Sequence, residues 1–217
     1  MNYERLYQFR FRDIDQDGRI AVWREISPHV HGLMGGPQVV LDPAAGRGEF
    51  IGAVPARETW AVDAVSYDEA SYKPDTKVIT ASIMDADLPA DHFDGVFVSN
   101  FLEHLYDQEA IAAFLEKMHA AMATGGRIAI MGPNYRYCSD EYWDCADHYV
   151  ALTHVAIEEH LYAAGFELAK VIPRYLPYSF RGILPPSPAL TRRYLKTPVA
   201  WRLLGKQFLV IGRKDQA

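Results

Sequence analysis

Residues Val39 to Ile51 read VVLDPAAGRGEFI, and this stretch decides the fold. An apolar run, Val39-Val40-Leu41, ends in an acid, Asp42, and then in a small-residue turn, Ala44-Ala45-Gly46-Arg47-Gly48. A short apolar run bounded by turn residues reads as a buried strand, and Gly46 and Gly48 let the backbone reverse close to a ligand. A helix is expected behind the turn, from about Glu49 to Val54. Beyond it a second strand, Thr59 to Val62, ends in another acid, Asp63. In open α/β sheets an acid at the tip of the neighbouring strand holds the two hydroxyls of a ribose. Two acids around a glycine bend predict a site for a nucleoside-bearing cofactor.

The turn also discriminates between nucleosides. A dinucleotide needs three spaced glycines, so that pyrophosphate can meet backbone N–H groups at a helix N-terminus. Here Ala44, Gly46 and Gly48 take that spacing and the acid Glu49 follows. A carboxylate at a helix start repels pyrophosphate but tolerates a sulfonium or ammonium group. The chemistry favours S-adenosylmethionine over NAD.

Outward from this stretch, strands are expected at Lys77–Ala81, Phe93–Val98, Arg127–Met131, Phe166–Ile172 and Gln207–Gly212. Ile111, Phe114, Leu115, Met118 and Met122 recur at helical spacing, with Gly125-Gly126 as their stop. Ile157, Leu161 and Ala164 stripe a further helix that Gly165 ends. Strands alternating with helices imply an α/β, doubly wound, mostly parallel sheet. The segment up to Asp17 shows no clean periodicity; Gly18–Ile26 reads as a helix, and Ser27-Pro28 as the restart of another. One domain is expected: an N-terminal helical lid over residues 1–37, a cofactor-binding core over 38–172, an inserted basic segment over 173–206 with two short helices, and a last strand and tail over 207–217.

Of the 217 residues 49% are apolar, enough for a sizeable single core. No apolar run approaches the ~18 residues that span a bilayer. The start lacks the apolar stretch of a secretion signal, and two cysteines, Cys138 and Cys145, cannot make a disulfide framework. A cytoplasmic protein is expected. The net charge of −6 hides an asymmetry: Met1–Glu167 holds 27 acids and 12 bases, while Leu168–Lys214 holds 10 bases and no acid. That tail reads either as a solvated surface complementing the acidic body or as a platform for an anionic acceptor or membrane surface. A homodimer stands open beside a monomer.

The segments VLDPAAGRGEF, HFDGVFVSNFLEHL, GGRIAIMGPN and THVAIEEHLYAAGFEL together resemble the class I S-adenosylmethionine-dependent methyltransferases, with Ala44 in place of the first motif glycine. The likeness extends from Val39 to Gly212 and implies a seven-stranded Rossmann-like sheet. The tail, with IPRYLPYS, RRYL and AWRLLGKQFLVIGRK, is similar to a bacterial subgroup associated with polysaccharide and glycan biosynthesis. By the family pattern Asp42, Ala44, Gly46 and Gly48 line the methionine part of the cofactor and Asp63 takes the ribose. Ala64 or Val65 contacts the adenine, Met84 and Asp85 flank it, and Ser99, Asn100 and Phe101 close the site beneath the sulfonium.

Methyl transfer from a sulfonium asks the protein mainly to align an acceptor, and a hydroxyl acceptor gains from a base. His148, oriented by Asp147, and His104 are the candidates; a capping or solvent-facing role is the plain alternative for each. No metal is expected. Methyltransferases that bind Mg²⁺ carry E-x-x-E-H after the fourth strand, whereas this chain has Asn100 at the first position. Cys138, Cys145, His148 and His154 miss the paired spacing of zinc sites. Asp13, Asp15, Asp17 and Gly18 imitate half a calcium loop, but its twelfth position is Arg24, so an acidic turn opening a lid helix is expected. Two further readings stand beside a small-molecule O-methyltransferase. A nucleic-acid methyltransferase is one, since Asp42-Pro43-Ala44 echoes the D-P-x-x-G of adenine-modifying enzymes. Those place an Asn/Asp-Pro-Pro-aromatic tetrad after the fourth strand, where this chain has Ser99-Asn100-Phe101-Leu102. The acidic body suits DNA poorly, while the basic tail keeps the reading open. The other is a binder of the cofactor without catalysis.

Overall fold

A computed structural model of the chain, describing residues 3–67, 71–178 and 186–215, alternates strands with helices. The strands are β1 (Val39–Asp42), β2 (Glu58–Asp63), β3 (Lys77–Thr80), β4 (Phe93–Ser99), β5 (Met122–Pro133), β6 (Phe166–Ile172) and β7 (Gln207–Lys214). The helices are α1 (Tyr3–Phe11), α2 (Gln16–Leu33), α3 (Gln108–Ala121), α4 (Tyr135–Tyr142), α5 (His154–Ala163), α6 (Pro188–Leu195) and α7 (Pro198–Leu204). One sheet forms in the order β3-β2-β1-β4-β5-β7-β6. β1 to β5 run parallel, and β7 runs antiparallel to both β5 and β6. This is the expected doubly wound, mostly parallel seven-stranded sheet, with α6 and α7 inserted before the last strand. Chain order reverses between β1 and β4, and open sheets of this kind bind ligands at the carboxyl ends beside that switch. Asp42, Asp63 and Ser99 end the three strands there.

Side chains alternate across the sheet with the period of two that strands impose. Leu41, Val62, Val96, Val98, Ile128, Ile130 and Val210 pack with Ile111, Phe114, Leu115 and Met118 of α3 and with Ile157 and Leu161 of α5. Val40, Ala61, Phe97, Ala129, Met131, Leu209 and Ile211 pack on the opposite face with Ile26 and Val30 of α2. Both faces of the inner strands are covered, which is why β1 and β4 read as near-continuous apolar runs, whereas the edge strands β3 and β6 are largely exposed.

Several elements depart from the sequence expectation, each for a physical reason. Residues 49–54 form successive turns instead of a helix. A Cβ at Gly52 would lie 1.7 Å from the Ser71 carbonyl oxygen, so this segment is pinned against its neighbour, and Pro55 follows at once. α2 runs unbroken through Pro28, because burial of Ile26 and Val30 carries the apolar stripe past the missing N–H. Asp15 opens it as N-cap, accepting from the Gly18 N–H at 2.9 Å; the acid turn is a cap. α1 forms where no periodicity announced it. α3 ends at Ala121 and β5 starts at Met122. Gly125-Gly126 therefore lie within β5, at an irregularity where Phe93 pairs with Met122 and Gly95 with Arg127. Phe180 and Arg181 of the basic segment lie outside the described residues.

Candidate active site

The glycine turn and the acid of β2 are bound together. Asp63 accepts the Gly46 N–H and the Val65 N–H, each at 2.8 Å, and the Tyr72 hydroxyl donates to the Gly46 carbonyl at 2.9 Å. Gly46 and Gly48 both hold positive φ, 52° and 80°. Open space lies above Gly46, where a Cβ would meet nothing within 4 Å, whereas a Cβ at Gly48 would strike the Tyr72 ring at 2.4 Å. The first glycine keeps the ligand's approach clear and the second admits the tyrosine that braces the turn. Asp42 is 4% exposed and accepts from the Ala44 N–H at 3.3 Å. Burial pushes its carboxyl up to about 8; the hydrogen bond from Ala44 opposes this, and the charges of Asp63 and Glu49 add to it. A buried acid beside an open glycine turn fits a ligand carrying a sulfonium and an ammonium group.

A cleft beside the turn is lined by Asp63, Val65, Tyr67, Tyr72, Ile79 and Thr80. Val65 stands where an adenine contact was expected; Ala64 does not line the cleft. Met84 and Asp85 both stand exposed in the turn after β3, and the wall there comes from β3 itself. Tyr67 and Tyr72 carried no signal of spacing or motif; only the fold brings them to the turn. Glu49 faces no helix N-terminus. It pairs with Arg19 of α2 at 2.6 Å, so its charge is answered within the fold and does not discriminate against pyrophosphate. Phe101 packs on Phe114 of the core at 5.3 Å between ring centroids, which leaves Ser99 and Asn100 as the polar groups after β4. Asn100 holds φ 49°, donates to the Ser99 hydroxyl at 2.9 Å, and keeps its own side-chain oxygen buried without a partner.

Next to this cradle, the loops after β4 and β5 meet in a polar cluster. The chain turns through a short 3-10 segment, Leu102–His104, and the Tyr149 N–H donates to the Glu103 carbonyl at 2.9 Å. That bond brings His148 against His104, with ring centroids 4.9 Å apart. The expected pairing of Asp147 with His148 does not form. Asp147, fully buried, takes the Arg10 guanidinium of α1 on its carboxylate, and its backbone carbonyl lies 2.8 Å from His104 Nδ1. Asp147 therefore orients His104. His148 is 8% exposed, lies against the Tyr142 ring at 4.7 Å, and keeps Nδ1 buried without a hydrogen-bond partner. Burial pushes its pKa down to about 4, and the neighbouring His104 adds to the effect. At neutral pH its imidazole is uncharged, with a lone pair to give. Glu103 is 2% exposed, and burial pushes its carboxyl up. Cys138 and His154, candidates for zinc by residue type, are both engaged with Asn134.

Residues 41–130 match the family model described as a methyltransferase domain. The match runs from the end of β1 into β5, the part of the sheet that carries the glycine turn and the acid of β2. Among solved structures, a methyltransferase dependent on this cofactor from Archaeoglobus fulgidus is 19% identical with a TM-score of 0.67, over 98% of this chain and 100% of that one. The 1,6-didemethyltoxoflavin-N1-methyltransferase of Burkholderia thailandensis, solved with its substrate and S-adenosylhomocysteine, is 22% identical with a TM-score of 0.61, over 99% and 89%. The N-methyltransferase NodS of Bradyrhizobium japonicum is 14% identical with a TM-score of 0.61, over 93% and 99%. These likenesses bear on the fold. No curated protein matches the chain in sequence.

Proposed function

We propose that this protein methylates an oxygen of a small hydroxylated acceptor, a sugar or glycan intermediate, with Asp42, Gly46, Gly48, Asp63 and Val65 holding the cofactor and His148 serving the acceptor. The observation that supports this reading is the buried His148 imidazole, its Nδ1 without a hydrogen-bond partner and its pKa pushed down by burial. When bound, S-adenosylmethionine supplies the electrophilic methyl group. The protein's own share is alignment, exclusion of water and removal of one proton. Ser99 and Asn100 close the floor between cradle and acceptor. In this reading the His148 Nδ1 lone pair would take the proton that an acceptor hydroxyl gives up on methylation, the sulfonium leaving as a neutral thioether. Asp147 and Arg10 hold His104 in place next to it. The sugar class rests on the resemblance of the tail, and a hydroxyl acceptor is the one that gains most from such a base.

Transfer of a labelled methyl group to a panel of sugars, nucleotide sugars, amines and nucleic acids tests the reading. Label on hydroxylated acceptors supports it; label only on amines or on nucleic acid overturns it. Asp63→Ala is expected to weaken S-adenosylhomocysteine binding by about 1–3 kcal/mol, through lost charge-assisted hydrogen bonds. Unchanged affinity in calorimetry removes Asp63 from the cofactor site.

A further inference from the structure

Glu103, His104 and His148 each offer a ligand atom, and these atoms all lie within 4.8 Å of one another. Two of the three are buried. The Glu103 carboxylate is buried beside His104, and His148 Nδ1 is buried without a hydrogen-bond partner. A buried imidazole nitrogen is costly to leave without a partner. The third is prepared. His104 gives Nδ1 to the Asp147 carbonyl at 2.8 Å, with the Asp147 carboxylate at 3.4 Å, which leaves Nε2 as its free lone pair. Metal-ligating histidines are oriented by such a carbonyl or carboxylate behind the ring. The charge of Asp147 is answered by Arg10.

We propose that Glu103, His104 and His148 form a binding site for a borderline divalent cation of the zinc or cobalt kind, with a fourth position left for the acceptor's hydroxyl oxygen. Two imidazole nitrogens and one carboxylate are the donor set of catalytic zinc sites with an open position. Mg²⁺, which keeps near-ideal octahedral oxygen coordination, fits this set poorly. The absence of a carboxylate at position 100 argued against metal from the sequence, but the fold supplies His148, forty-odd residues downstream, as a donor instead. The inference rests on the methyl-transfer reading and deepens it: the lone pair that serves as base without a cation becomes a ligand with one.

The full-length protein, stripped with chelator, is titrated with Co²⁺ and followed by its visible d–d absorption. Intense bands saturating at one ion per chain and displaced by Zn²⁺ are expected. Glu103→Gln and His148→Gln should each abolish them. S-adenosylhomocysteine calorimetry on the same variants reports whether they are folded. Absence of bands in the unaltered protein, or bands that persist in both folded glutamine variants, overturns the proposal. Loss of S-adenosylhomocysteine binding by the unaltered protein is a separate result: it sinks the cofactor reading and leaves the cation result standing.

Discussion

Two buried side chains have displaced titrations in opposite directions, and each makes pH an experimental handle. Asp42 is raised to about 8 because burial disfavours its charge. A cationic cofactor reverses that preference, so binding below about pH 8 must release a proton from this acid. S-adenosylmethionine affinity is therefore expected to fall as pH drops from about 8, by up to roughly tenfold per unit. The amino group of the ligand titrates in the same range, so the diagnostic quantity is the difference from Asp42→Asn, in which this part of the slope disappears. Calorimetry across pH decides it, and equal slopes in both proteins remove Asp42 from contact with the cofactor's charge. His148 is displaced downward, to about 4. Its folded state binds fewer protons than the unfolded chain between about pH 6.5 and 4. The stability it contributes is thus complete above about 6.5 and is lost as pH falls toward 4, a loss of about 3 kcal/mol at most. His148→Gln should flatten denaturant-unfolding stability across that window; a slope identical to the parent's would mean the imidazole is not held neutral.

The elements were legible where their order comes from local pattern and obscure where it comes from distant contacts. β1, β4, α3 and α5 follow from apolar runs and helical stripes that bury on one sheet. Asp42, the glycines and Asp63 were readable for the same reason: strand tips and turns are short-range features. α1 was not, because its anchor is the pairing of Arg10 with Asp147, 137 residues away. The same distance hid the true partner of Asp147 and the meeting of Glu103 with His148. The turns at 49–54 were misread because nothing local announces that the Ser71 carbonyl presses on Gly52. Pro28 shows the converse error, a strong local signal overruled by burial. It is exposed, inside α2, between buried Ser27 and half-buried His29. Proline there removes one backbone hydrogen bond and crowds the carbonyl four residues back, a cost of about 3 kcal/mol in a helix interior. Pro28→Ala is expected to raise stability by about 1–3 kcal/mol with cofactor affinity unchanged. A decrease in thermal or denaturant stability would mean that Pro28 shapes α2 against the sheet.

At the scale of the whole molecule, charge and topology divide the labour. The basic tail does not stand free as one platform: Arg192 pairs with Glu25 of α2, Lys206 with Glu141 of α4, and Lys214 with Asp91, while Arg174 bonds the carbonyls of Leu203 and Gly205. Much of the asymmetry seen along the chain is thus internal stitching between an acidic body and its closing segment, and what remains for an anionic acceptor is a smaller set including Lys170, Arg193, Lys196 and Arg202. Topology separates function from support in the same way. The groups proposed to hold the cofactor end β1, β2 and β4 at the switch point, whereas β6 and β7 close the far side of the sheet by antiparallel pairing. A ligand that bridges the switch point ties together turns whose amides are otherwise open to local fluctuation, and leaves the far edge as it was. Amide hydrogen exchange with and without S-adenosylhomocysteine should therefore slow across residues 42–48, 63–67 and 99–104. The strand 207–214, already paired on both sides, should exchange at one rate in both states. Protection that appears first in β6 and β7, with none at the glycine turn, would place the ligand elsewhere in the molecule and separate this fold from the site assigned to it.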